Sequence, residues 1–109
     1  MNKNEKIFVA GHGGMVGSAI TNRLRSEGYN NLILKKSSEL DLRDQKATLN
    51  FFEKEKPDHV FLAAAKVGGI YANDKYKADF IYDNTAIAMN VIHSAFKSGV
   101  KKLLNLGSS

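Results

Sequence analysis

Apolar and polar positions fall into blocks along this chain, and the period changes from block to block. Lys6 to Ala10, KIFVA, is a short β-branched and aromatic run entering glycines, which predicts a buried strand. After the glycines, Val16, Ile20 and Leu24 recur every four residues with Ala19 beside them, giving the apolar stripe of a helix that stops near Gly28. Asn31 to Lys35, NLILK, predicts a second strand. Asp44 can cap a helix that turns Ala47, Leu49, Phe51 and Phe52 inward. Lys56 ends that helix, because Pro57 disfavours helical backbone in the residue before it. His59 to Ala65, HVFLAAA, is continuously apolar, as expected of a strand covered on both faces. A loop from Lys66 to Asp79 leads to a helix with Phe80, Ile87, Val91 and Ala95 on one face, and Lys102 to Leu106, KLLNL, closes the series as a fourth strand.

Strands and helices in strict alternation predict an α/β fold, a Rossmann-like parallel sheet with right-handed crossovers and helices on both faces. The expected strand order is 3-2-1-4. Doubly wound sheets normally continue to six or more strands, so four strands read as an incomplete sheet with an open edge at the fourth. Asn84 falls on the apolar stripe of the last helix, where a buried amide must find a partner, which predicts a structural role.

Composition narrows the chemistry. Of 109 residues 43% are apolar, enough for a globular core, and no run approaches a membrane span or a cleavable leader, which predicts a soluble, cytoplasmic protein. With no cysteine and with His12, His59 and His93 scattered, no metal site is expected. The net charge of +5 comes from basic residues spread along the chain beside acids, so a small phosphorylated ligand is expected and nucleic acid is not.

The phosphate chemistry sits in GHGGMVGS, Gly11 to Ser18, between the first strand and the first helix. Val16 occupies the last glycine position of the common G-x-G-x-x-G spacing, and the spacing that fits is Gly11-x-x-Gly14-x-x-Gly17. Gly11 permits the turn off the strand, Gly14 lets a pyrophosphate approach the backbone, and Gly17 lets the helix pack on the sheet. The helix N-terminus then offers unpaired N–H groups and partial positive charge. Gly13, Met15 and Val16 complete this loop, and His12 reads as a loop side chain rather than a catalyst. At the end of the second strand, LKKSSEL places Lys35, Lys36 and Ser37 where an NAD site usually carries an acid, which favours the 2′-phosphate of NADP. Asp41 and Leu42 of the following DLRD suit an adenine, whose amino group the carboxylate accepts and whose ring the leucine covers. Plain turn and cap roles for Asp41 and Asp44 stand equally open on the sequence.

Taken together, GHGGMVGS, DLRD, FLAAAKVGGI, DFIYDN and KLLNLGSS resemble the extended short-chain dehydrogenase/reductase group. The likeness extends to the branch that epimerises and reduces a GDP-linked 4-keto-6-deoxy sugar with NADP, most specifically through Lys66-Val67-Gly68-Gly69. The resemblance implies that Ala64, Ala65 and Gly107 line the dinucleotide, that Ser108 is a catalytic serine hydrogen-bonded to the reacting sugar oxygen, and that the full-length enzyme is a homodimer. Group members commonly carry arginine where this chain has Gly13 and a basic residue where it has Ser37, so Lys35 and Lys36 must supply the charge here. A sibling epimerase or dehydratase holding NAD is one alternative, and a non-catalytic nucleotide-binding module, expected if the chain were complete, is the other. The group's Tyr-x-x-x-Lys pair does not occur after Ser108, and the expectation is that residues 1–109 form the N-terminal part of a dinucleotide-binding domain without its substrate domain, inactive alone.

Overall fold

A computed structural model describes residues 2–63 and 75–105, with backbone alone for 75–81. Four strands, β1 (Ile7–Ala10), β2 (Leu32–Ile33), β3 (His59–Leu62) and β4 (Lys102–Asn105), alternate with three helices, α1 (Met15–Ser26), α2 (Gln45–Glu55) and α3 (Lys75–Ser98). Every pairing is parallel, as strand–helix–strand crossovers require.

The expected order 3-2-1-4 is corrected to β2-β1-β3-β4. Register explains the correction. β3 pairs over its full length with β1 on one side and β4 on the other, from Ile7 opposite His59 to Leu62 opposite Asn105. Its continuous apolar run belongs in such an interior position, whereas β2, two half-buried residues, suits an edge. The third helix also starts earlier than its pattern suggests, at Lys75 rather than Phe80. The Phe80 side chain and most of the expected loop before it lie outside the described residues.

Period-two alternation in β1 splits the core. Phe8 and Ala10 point to the side where Phe52 of α2 and Val91 and Ala95 of α3 close over Val60 and Leu62. Ile7 and Val9 point to the other, against Leu24 of α1 with Ile20 and Phe61 beside it. Phe8, Phe51 and Phe52 form a ring cluster with centroids 4.7, 5.6 and 5.5 Å apart, two of the three pairs edge to face. Phe52 is fully buried, and truncating such a side chain costs about 3–5 kcal/mol. Thr48 is equally buried although the sequence pattern passes over it, because its hydroxyl donates to the Asp44 carbonyl at 2.7 Å and carries no unmet polarity inward.

The helix boundaries follow local chemistry. Asp44 caps α2 by accepting from Ala47 N–H at 3.0 Å, as expected. Lys56 ends it before Pro57, in the left-handed region at φ 47° rather than in the extended backbone usual before proline. Glu27 is the C-cap of α1, and Gly28 at φ 92° makes the reversal. At the amino end of the sheet, Asp58 accepts from Lys6 N–H at 2.8 Å through its carboxylate and from Lys101 N–H at 2.9 Å through its carbonyl. Glu5 bridges His59 (3.1 Å) and Lys101 (2.5 Å), so polar contacts tie the approaches to β1, β3 and β4 together.

Candidate functional site

Strand order fixes where a ligand can sit. β2 lies on one side of β1 and β3 on the other, so the chain leaves β1 at the point where the sheet reverses direction, and there the glycine loop stands. In open α/β sheets a crevice forms outside the carboxyl ends of the strands at such a point. Here two contiguous hollows share Gly11, Lys35 and Ser37. One, of about 400 Å³, is lined by Gly11 to Gly14 with Lys35, Lys36 and Ser37. The other, of about 450 Å³, runs on past Ser38 and Leu40 to Asp41, Leu42, Arg43 and Ile87.

Each glycine has a different reason to be there. Gly11 has φ 85°, a conformation L side chains rarely adopt. A Cβ on Gly17 would stand 1.8 Å from the Gly11 carbonyl oxygen, so α1 packs on the loop only because that atom is missing. Gly17 is buried, and its contribution is to this packing rather than to the hollow. Gly14 is the N-cap of α1 at φ −81°, with no side chain capping the helix and no acid in the first turn, so the positive end of the helix faces the hollow without a counter-charge. A Cβ on Gly13 would meet nothing within 4 Å. Met15 is exposed and Val16 half-buried. The His12 Nδ1 is buried without a partner among the described residues, an orphan polar atom in the loop itself. An uncapped helix N-terminus, open glycine backbone and two lysines form a donor set that fits a dinucleotide phosphate.

The bend after β2 brings more charge to the cleft. Lys36 N–H donates to the Glu39 carboxylate at 2.9 Å, while Glu39 and Leu40 N–H return to the Lys36 carbonyl at 2.8 and 2.9 Å. The Lys36 N–H, and then the charges of Lys35 and Lys36, hold Glu39 below its usual range against partial desolvation. Asp41 is held down too, first by the Arg43 side chain, which grips its carboxylate, and then by the Arg43 N–H. The Asp41 side chain is therefore turn residue and cavity wall at once, and Asp44 is a plain cap.

Sequence reasoning missed Arg43, Ser38, Leu40 and Ile87 as walls of this cleft, and Asn90, which donates from Nδ2 to the Leu42 carbonyl at 2.9 Å. The repeated charge of DLRD was the available signal for Arg43; Ile87 and Asn90 come from a helix far along the chain and gave none. Ala64, Ala65, Gly107 and Ser108 lie outside the described residues. Asn84 is buried at 7% exposure, as its place on the stripe requires. Among the described residues no cluster of His, Cys, Asp or Glu could hold a metal ion, and no helix is long and apolar enough to cross a membrane.

A parallel sheet with a glycine loop at its switch point and a basic, half-open cleft beyond it defines a dinucleotide-type α/β domain. Residues 7–109 match the model of the NAD dependent epimerase/dehydratase family, and the chain belongs to that family. GDP-L-fucose synthase 1 of Arabidopsis thaliana is 60% identical over 108 residues, 99% of this chain and 33% of that protein. GDP-L-fucose synthase of Escherichia coli K12 is 53% identical over 105 residues, 96% of this chain and 33% of that protein. Among solved structures, MlghC, a GDP-mannoheptose C4 reductase from Campylobacter jejuni with NADP bound, superposes with a TM-score of 0.87 at 48% identity, over 96% of this chain and 33% of its own. The chain thus spans about a third of the length of the relatives it matches.

Proposed function

We propose that this chain is the cofactor-binding part of an NADP-dependent epimerase-reductase acting on a GDP-linked 4-keto-6-deoxy sugar, the reaction of a GDP-L-fucose synthase. The observation that carries the reading is the continuous cleft from the uncapped N-terminus of α1, past Lys35, Lys36 and Ser37, to Asp41 and Leu42. In it the backbone of Gly11, Gly13, Gly14, Met15 and Val16 holds the pyrophosphate, with Gly17 keeping the helix close enough for its N–H groups to reach. Lys36 and Ser37, with Lys35 beside them, hold the 2′-phosphate, and Asp41 and Leu42 hold the adenine. Ala64, Ala65 and Gly107 line the dinucleotide. Ser108 donates a hydrogen bond to the sugar oxygen at the carbon being reduced, stabilising charge as it develops there. The bound cofactor supplies the hydride.

Titration of the chain with NADPH and NADH tests the reading. Tighter binding of NADPH by about tenfold is expected, roughly the worth of one charge-assisted phosphate contact. Preference for NADH would favour the NAD-holding sibling, and failure of both to bind below millimolar would remove the cofactor site altogether.

The proposal includes a cytoplasmic homodimer. Tyr82, Met89 and Phe96 recur every seven residues along α3, exposed at 75, 65 and 86%, with Ile92 between the last two. Such a seam is self-complementary when two copies of the helix cross antiparallel about Met89. Met89→Asp would then lower the mass seen by light scattering from dimer to monomer; an unchanged mass would count against it.

A further inference from the structure

The Asp41 carboxylate has little left to offer a ligand. Its Oδ1 accepts from the backbone N–H of Arg43 at 3.0 Å and from Arg43 Nε at 3.0 Å, and its Oδ2 accepts from Arg43 Nη2 at 3.0 Å. A carboxylate has about four lone-pair sites, so three bonds leave about one, on Oδ2. The remaining arm of the guanidinium, Nη1, lies 3.5 Å from Asp83 Oδ2 on α3. Asn90, also on α3, holds the Leu42 carbonyl. Residues 41–43 are therefore fixed to a helix distant in sequence by an ion pair and a hydrogen bond, and all three line the same cavity.

How many acceptors remain decides which purine edge can be read. Adenine presents an amino donor at position 6, and one acceptor satisfies it. Hypoxanthine and guanine present an oxo acceptor at position 6 beside an N1–H, and guanine adds a 2-amino group. A free carboxylate grips that guanine edge with both oxygens, as it grips a guanidinium. At Asp41 the forked edge is already filled by Arg43, and the anion repels a 6-oxo group.

We propose that Arg43 is a positioning residue: by filling the forked edge of Asp41 and tying residues 41–43 to α3, it makes this carboxylate a single acceptor that reads adenine and denies guanine its two-bond grip. This rests on the cleft being the NADP site proposed above. Its consequence for the parent protein is direct, since the proposed substrate carries guanine and the proposed cofactor adenine, and a protein handling both gains from a cofactor site that refuses the guanine nucleotide.

The test is calorimetric titration of this chain and of Arg43→Leu and Arg43→Lys with NADP⁺ and with its guanine analogue, nicotinamide guanine dinucleotide phosphate. The native chain should bind NADP⁺ about tenfold more tightly, near the lower end for a hydrogen bond to a charged group because the Asp41 and Arg43 side chains are 46 and 55% exposed. In Arg43→Leu the ratio should fall below about twofold. Arg43→Lys keeps the charge without the fork, so its ratio should fall likewise. A loosened loop would weaken both ligands together, so parallel weakening with the tenfold ratio intact in both variants would overturn the proposal. Equal binding of the two ligands by the native chain would overturn it while leaving the NADP reading standing. Absence of NADP⁺ binding by the native chain would overturn both.

Discussion

Two helices begin beside the same cleft, and only one of them closes its own N-terminus. α2 starts at Asp44, whose carboxylate accepts from Ala47 N–H at 3.0 Å while its backbone carbonyl takes the Thr48 hydroxyl. α1 starts at Gly14, with no capping side chain and no acid in its first turn. Backbone N–H groups at a helix start must be satisfied by something, and a helix that leaves them open gives up about 1 kcal/mol that a cap would contribute. The difference separates a helix start built for stability from one left available to an anion. The Glu39 turn between them also satisfies its own N–H, at Lys36, with a carboxylate.

The largest test of this contrast removes the open start. Gly17→Ala sets a Cβ 1.8 Å from the Gly11 carbonyl oxygen, against backbone that cannot swing away, and should cost about 3 kcal/mol in urea unfolding along with NADPH binding. Converting one start into the other is sharper. At φ −81°, with its nearest Cβ contact at 3.6 Å, Gly14 accepts a side chain, so Gly14→Asp should stabilise the fold by about 0.5 kcal/mol while weakening NADPH at least tenfold. Loss of both, or of neither, would break the comparison. Asp44→Ala should lower stability by about 1 kcal/mol and leave NADPH affinity within about twofold, and a large affinity loss would mean that the capped helix also serves the ligand.

The smallest effect at neutral pH is expected at the other end of the sheet. Glu5 is held down at about 2, first by the Lys101 side chain, then by the Asn2 N–H and His59. A folded-state value below the unfolded one near 4.5 gives stability that is full above that pH and is lost as pH falls toward 2. Melting temperature against pH should therefore fall more steeply between those values in the native chain than in Glu5→Gln, with NADPH affinity at pH 7 the same in both; parallel acid limbs would show that this carboxylate does not matter to folding.

Arg43 and Gly17 show how unevenly the site could be read in the sequence. Gly17 was legible because a glycine at fixed spacing after a strand has few explanations, and the Cβ clash supplies the physical one. The lysines after β2 were legible as charge, and they do line the cleft. Arg43 was not, because an arginine in a polar turn is ordinary until its partners are known, and one of them, Asp83, arrives on α3. The strand order failed for a similar reason: each strand was recognisable locally, but whether the third lies beside the first or the second depends on which side of β1 the crossover returns.

The sequence by itself determined the alternation of strands and helices, the placing of the glycine loop between β1 and α1, the Asp44 cap and the chain reversals, because these rest on contacts within a few residues. Only the tertiary structure decided that β3 sits against β1, that the two hollows join across Gly11, Lys35 and Ser37, and that α3 pins residues 41–43. Those features depend on which distant surfaces bury each other, and a local pattern marks a surface as apolar or charged without naming its partner.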